Sequence, residues 1–223
     1  MGTTIVTLIN PPAVIRDGGK KMEKMSSSAA SLYVERSFNV GFWHPFGRHA
    51  GEATDHILAR KSLEAERNGF TIWSFTGPRP ETVTRWREKV HSEGDGRAIA
   101  FCSSGKNARD PNPEPFHCTE YSADGGRSWE RIPDGIRVPH PKSSRRVNIV
   151  GYFVRKVIVA EPFRPAVNVL YEKKDGAGGH FWKEGKFLPT KGNSLIKRAD
   201  RGAPLREICA MLELEYPYVV MLR

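Results

Sequence analysis

From Phe70 to Thr76 the chain reads FTIWSFT, a block of aromatic and β-branched residues closed by Gly77-Pro78. Such a block favours a strand, and the two-residue spacing of Trp73 and Phe75 sends both rings to one face. Upstream, Leu32, Val34, Phe38, Val40 and Phe42 alternate with polar or small residues, which predicts a strand over 31–42, broken by His44-Pro45-Phe46-Gly47. Thr54 is an N-cap candidate, Asp55 sits in the first turn, and Asn68-Gly69 is a C-terminal stop, so a helix is expected from Thr54 to about Arg67. Its apolar stripe is weak, which predicts a surface position.

Further on, Val83, Trp86 and Val90 recur at helical spacing between Pro80 and Gly94, so Glu81–His91 is expected to be a helix. The continuous run AIAFC within 97–102 reads as a buried strand, and 103–115 as a polar, proline-rich loop. The stretch VNIVGYFVRKVIVA, 147–160, reads as a long bent strand with Gly151 at the bend. A strand at 167–171, a hairpin around Glu184-Gly185 over 180–187, a helix over 204–213 and a closing strand at 218–222 complete the pattern. Residues 1–30 offer little to bury and are expected to form a flexible segment ahead of a single domain at 31–223.

One turn has its own signature. Ser122 to Trp129, SADGGRSW, has the Ser-x-Asp-x-Gly-x-Ser-Trp form of an Asp-box hairpin. The carboxylate bonds turn amides, glycine supplies positive φ, and the indole packs beneath. It occurs once, whereas a sialidase-type propeller repeats its blades, so the motif is read as structural and sialidase is rejected.

Charge changes the picture most. The 223 residues carry a formal net charge of +10, which favours polyanionic partners and puts nucleic acid, DNA or RNA, first. No apolar run is long enough for a membrane helix, and a cytoplasmic protein without a membrane partner is expected. The three cysteines are scattered without a CxxC pair, and Cys102 and Cys209 read as buried free thiols. No cofactor and no metal are expected, since His44, His49 and His56 fit no common zinc spacing. Ser104-Gly105-Lys106 is not a phosphate loop, because the first glycine would fall on Ala100.

Two constellations remain. The aromatics Trp43, Trp73, Phe75 and Trp86, with the cations Arg48, Lys106 and Arg109 and the small polar Ser103, suit stacking of an unpaired base beside its phosphates. Alternatively, His49, Glu52, Lys61 and Glu64 combine base, acid and cation, as a nuclease or nucleoside hydrolase requires. A protein-interaction module with exposed aromatics is the third reading.

The order FTIWSF, ETVTRWREKV, AIAFCSS, NIVGYFVRKVIVA and YVVML resembles the PUA-like superfamily over roughly 70–223, its EVE and YTH types in particular, with the hairpin at 117–132 as an insertion. That resemblance implies an α+β fold on a small, mostly antiparallel β-barrel with about three helices. It also implies a modified or flipped base held in an aromatic pocket, here lined by Trp73, Trp86 and Ser103. The related ASCH type carries GxKxxExR. Lys61 and Glu64 match it, but Ala59 stands for the glycine and Glu66 for the arginine.

Overall fold

The computed structural model describes residues 23–47, 51–104, 116–140, 148–174, 177, 179–184 and 193–223. The first half contains α1 (Ser27–Ser37), β1 (Val40–Phe46), α2 (Thr54–Asn68), β2 (Thr71–Thr76), α3 (Pro80–Glu93) and β3 (Ala98–Ser104). The second half contains β4 (Glu120–Ser122), β5 (Glu130–Arg131), β6 (Ile149–Phe163), β7 (Asn168–Lys174), β8 (His180–Lys183), β9 (Ser194–Ala199), β10 (Ala203–Pro204) and β11 (Ile208–Leu222). The fold is mixed α+β, with three helices and one sheet of 11 strands, mostly antiparallel. The described pairings do not close that sheet into a barrel.

β11 is the hub. One edge of its first half pairs with β3, Ala210 opposite Cys102 through Leu214 opposite Ala98. Its other edge follows β6 for almost the whole length, and Met221 and Leu222 also meet β4. From β3 the sheet runs outward through β1, β9, β7 and β10, and from β6 to β2. The β1–β3 pair is parallel, Gly41 opposite Ile99 to Phe46 opposite Ser104. A side chain at Gly41 would run into the Ile99 carbonyl, which is why the position is glycine.

Both faces of this sheet are covered, so most strands bury residues on both sides. On one face Phe42, Trp73, Phe75, Tyr152 and Leu212 pack with Ile57 and Leu58 of α2 and Val83, Trp86 and Val90 of α3. On the other, Trp43, Phe101, Ile158 and Met211 pack with Ala30 and Val34 of α1. A third cluster sets Ile72, Phe153 and Val220 against Cys118, Ile132 and Val138, so the hairpin segment lids the far end of β2 and β6. Its turn is built as the motif predicts. Asp124 Oδ1 accepts from the amides of Arg127 and Ser128, both at 2.9 Å, and Gly125 and Gly126 have positive φ. Hydrogen bonds from Ser128 hold the Asp124 carboxyl well below its usual range. The Trp129 indole N–H closes back on the Gly126 carbonyl at 3.1 Å.

Several expectations are corrected. Residues 27–37 form a helix rather than a flexible end and the start of a strand. Ser26 caps it, and Ala30 and Val34, one turn apart, bury its inner face. β1 runs through the supposed break to Phe46. Its partner β9 ends opposite Trp43, so Pro45 lies where only β3 pairs and no second ladder needs its N–H. The N-cap of α2 is Ala53 rather than the expected Thr54, which is its first helical residue; the helix ends before Gly69 (φ 81°), as expected, but it is no surface helix, since it buries Lys61 and Glu64 with Ile57, Leu58 and Ala65. β8 pairs with β7 across the DGAGG stretch; the Gly185–Phe187 part of the expected 180–187 hairpin lies outside the described residues. The helix expected over 204–213 is instead the start of β11. A strand covered on both faces loses alternation, and its apolar run mimics a helical stripe. Gly151 marks close packing rather than a bend: a Cβ there would strike Ile72 and Leu222, while the irregular register lies in β11 between Leu214 and Val219. Cys102 is buried as expected, whereas Cys209 is half-buried.

Phe101 has no exposed surface and meets Phe38 edge-on at 4.7 Å. Phe101→Ala is expected to lower stability by about 3–5 kcal/mol in urea unfolding. A loss under about 1 kcal/mol would mean that the α1 face is not a packed core.

Candidate functional site

The two constellations separate in space. Trp43 alternates with Phe42 and His44 along β1, so it faces α1 and is sealed there, 2% exposed. It is therefore not part of a ring with Trp73, Phe75 and Trp86, which all lie in the core on the opposite face. Trp86 meets Phe42 at 5.4 Å, and its indole N–H donates to Glu172 Oε2 at 2.8 Å. Ser103 is half-buried and stands opposite Pro45. Arg48, His49, Lys106 and Arg109 lie outside the described residues.

Around Trp73 and Phe75 the structure assembles a group that the sequence did not connect, although His44 was already weighed there as a metal ligand. His44, 4% exposed, is its centre. Its ring lies 5.9 Å from Trp73, 5.7 Å from Phe75, 5.4 Å from Tyr152 and 6.4 Å from Phe46. His44 Nδ1 is hydrogen-bonded to Asn193 Oδ1, and the Tyr152 hydroxyl donates to the same oxygen at 3.2 Å. An amide oxygen has no hydrogen to give, so Nδ1 must carry the proton and Nε2 is left as a bare acceptor. Nε2 is buried and has no hydrogen-bond partner among the described residues. Burial pulls the imidazole down to about 4 although the Asn193 bond acts the other way, so the ring is neutral near pH 7. Tyr152 and Cys102, its titratable neighbours here, are pushed up by burial and stay protonated. The missed signal is the period-two series Phe42, His44, Phe46, hidden because His44-Pro45 reads as a break.

Glu52, Lys61 and Glu64 are brought together as the alternative reading requires, but as a closed lock. Lys61 Nζ donates to Glu64 Oε2 at 2.8 Å, the Ile72 carbonyl at 2.6 Å and the Arg137 carbonyl at 2.7 Å. An ammonium has three hydrogens, so its donors are spent on the protein. Glu64 Oε1 also takes Arg60 at 2.7 Å and the Arg137 amide at 3.1 Å, and Arg60 reaches Glu52 at 2.7 Å. Burial pulls Lys61 down to about 8 against the pull of Glu64; burial would raise Glu64, but Lys61 and its hydrogen bonds hold it below its usual range. The ion pair persists at neutral pH and ties α2 to β2 and to the hairpin segment.

An edge of paired charges lies on the same side of the sheet as His44, and Lys197 there holds Glu93 at 2.7 Å. Arg85 and Lys89, one helical turn apart on α3, hold Glu172 at 3.1 and 3.2 Å. Lys89 and Lys197 flank the Trp182 ring at 4.6 and 5.9 Å. The exposed large apolar residues Leu32, Phe116, Phe181 and Tyr216 sit on separate elements. Among the described residues no helix is long and apolar enough to cross a membrane, and no group of three or more His, Cys, Asp or Glu is placed to hold a metal ion. Compared with protein-family models, curated proteins and solved structures, the chain matches none of them.

Two outcomes follow. Lys61→Met should cost about 3 kcal/mol in urea unfolding, because it removes the ammonium that balances the buried Glu64 carboxylate and serves the Ile72 and Arg137 carbonyls, and Lys61→Met/Glu64→Leu should cost less than the single change. A single-variant loss below about 1 kcal/mol would remove the lock from any structural role. For His44 the folded value, about 4, lies below the ordinary 6.5. Between them the unfolded chain binds a proton that the folded one refuses, so stability present above pH 6.5 is lost as pH falls towards 4, by on the order of 3 kcal/mol. His44→Phe should flatten that window, and equal slopes in both proteins would contradict it.

Proposed function

We propose that this chain is a cytoplasmic nucleic-acid-binding module of PUA-like architecture that holds one base, in its narrower form a modified base, against Trp73, Phe75 and His44. The observation that carries this reading is the orphaned Nε2 of His44 inside a shell of aromatic side chains. Buried polar atoms are nearly always paired, and one left bare among flat apolar rings fits a planar heterocycle better than any purely structural role. Ser103 and Trp86 stand at the edge of this shell, Ser103 opposite Pro45 and Trp86 against Phe42.

Charge supports the same reading. The net charge is +10, and Arg85, Lys89 and Lys197 border the same face of the sheet, beside the half-buried Trp182. Phosphates meet these cations and set the register, while the aromatic shell takes the base. Trp43 has no part in it. The closed bonding of Lys61 and Glu64 makes them scaffold in this reading rather than catalysts.

Fluorescence anisotropy with labelled single-stranded RNA and DNA tests it. Binding is expected to weaken steeply as salt rises, and Lys89→Glu/Lys197→Glu to weaken it for every sequence. Trp73→Ala, if folded by circular dichroism, should cost about 1–3 kcal/mol of binding. No salt-dependent binding to either strand type at low ionic strength would end the reading.

A further inference from the structure

His44 stands out from every other polar group described in this core. The Lys61 ammonium, the Glu64 carboxylate and the Trp86 indole are buried, and each is bonded. Only at His44 Nε2 does a buried side-chain nitrogen or oxygen lack a partner, among the described residues. Such an acceptor is unfavourable for as long as it stays bare. The tautomer that leaves it bare is also enforced: Asn193 Oδ1 receives both the Nδ1 proton and the Tyr152 hydroxyl, and burial keeps the ring from taking a second proton. The ring is thus held in orientation by Asn193 and in protonation state by its surroundings, and its Nε2 can only accept.

From this geometry we infer that His44 Nε2 selects the base by accepting a hydrogen bond from one of its N–H groups, with Asn193 and Tyr152 as positioning residues. The inference rests on the nucleic-acid reading above and adds a discriminating rule to it. The site takes a base that presents an N–H donor and rejects the same base with that donor replaced by N-methyl. A bare acceptor rewards a donor, whereas a methylated nitrogen leaves it unpaired and adds bulk.

The test uses short single strands carrying one base between abasic sugars. Adenine, cytosine and uracil are each compared with N6,N6-dimethyladenine, N4,N4-dimethylcytosine and N3-methyluracil. The full chain is expected to bind at least one parent base about tenfold or more tightly than its methylated partner, and His44→Phe to lose most of that ratio while keeping its salt dependence. A ratio that survives in His44→Phe would reflect bulk alone and overturn the inference. Should His44→Phe fail to fold, the 15N signal of His44 Nε2 in the unaltered chain serves instead: it should shift on binding the parent strand and not the methylated one, and equal shifts would overturn the inference. Equal binding within every pair, with salt dependence intact, would refute the donor rule and leave the nucleic-acid reading standing. Absence of salt-dependent binding altogether would remove both.

Discussion

β11 is hydrogen-bonded along both edges, to β3 on one side and β6 on the other, and the rest of the molecule follows from that. Along most of its length β11 also buries residues on both faces, so each face carries its own cover. α1 closes one face, α2 and α3 the other, and the hairpin segment lids what remains. Once both faces are dry, the period of two along each strand becomes a sorting rule. On β1 it sends Trp43 to the α1 side and Phe42, His44 and Phe46 to the other. One residue of register therefore decides on which side of the sheet a β1 ring packs.

Polar groups in this interior are handled in two ways. Around Lys61 and Glu64, Thr71, Ile72 and Arg137 supply the missing partners, and the charges gain enough from hydrogen bonds to remain ionised while buried. Such a lock fixes where α2 lies and leaves no donor for a substrate. At His44 the arrangement is incomplete on one side only: Nδ1 is satisfied and Nε2 is not.

Local chemistry was legible where it acts over a few residues. The Asn68-Gly69 stop, the Val83–Trp86–Val90 face of α3, the shared face of Trp73 and Phe75 and the whole SADGGRSW turn could be read directly, because each rests on neighbours in sequence. Long-range burial was not. The start of β11 read as a helix because two-sided burial erases alternation, and α1 read as a strand because Leu32, which is exposed, counterfeited it. The burial of Lys61 was not legible, because one of its acceptors is the Arg137 carbonyl, over seventy positions away.

By itself the sequence determined an α+β chain, strongly basic, with aromatics spread along it from Tyr33 to Tyr218. Only the tertiary structure decided which of those aromatics share a space. Trp43 was parted from Trp73 by the sheet between them, and His44 gained Tyr152 and Asn193, which lie more than a hundred positions downstream. The physical reason is that a side chain's face follows from local backbone geometry, whereas its partners follow from which strands pair. The ladders that set β9 and β6 around β1 and β2 are made between segments whose separation no local pattern records.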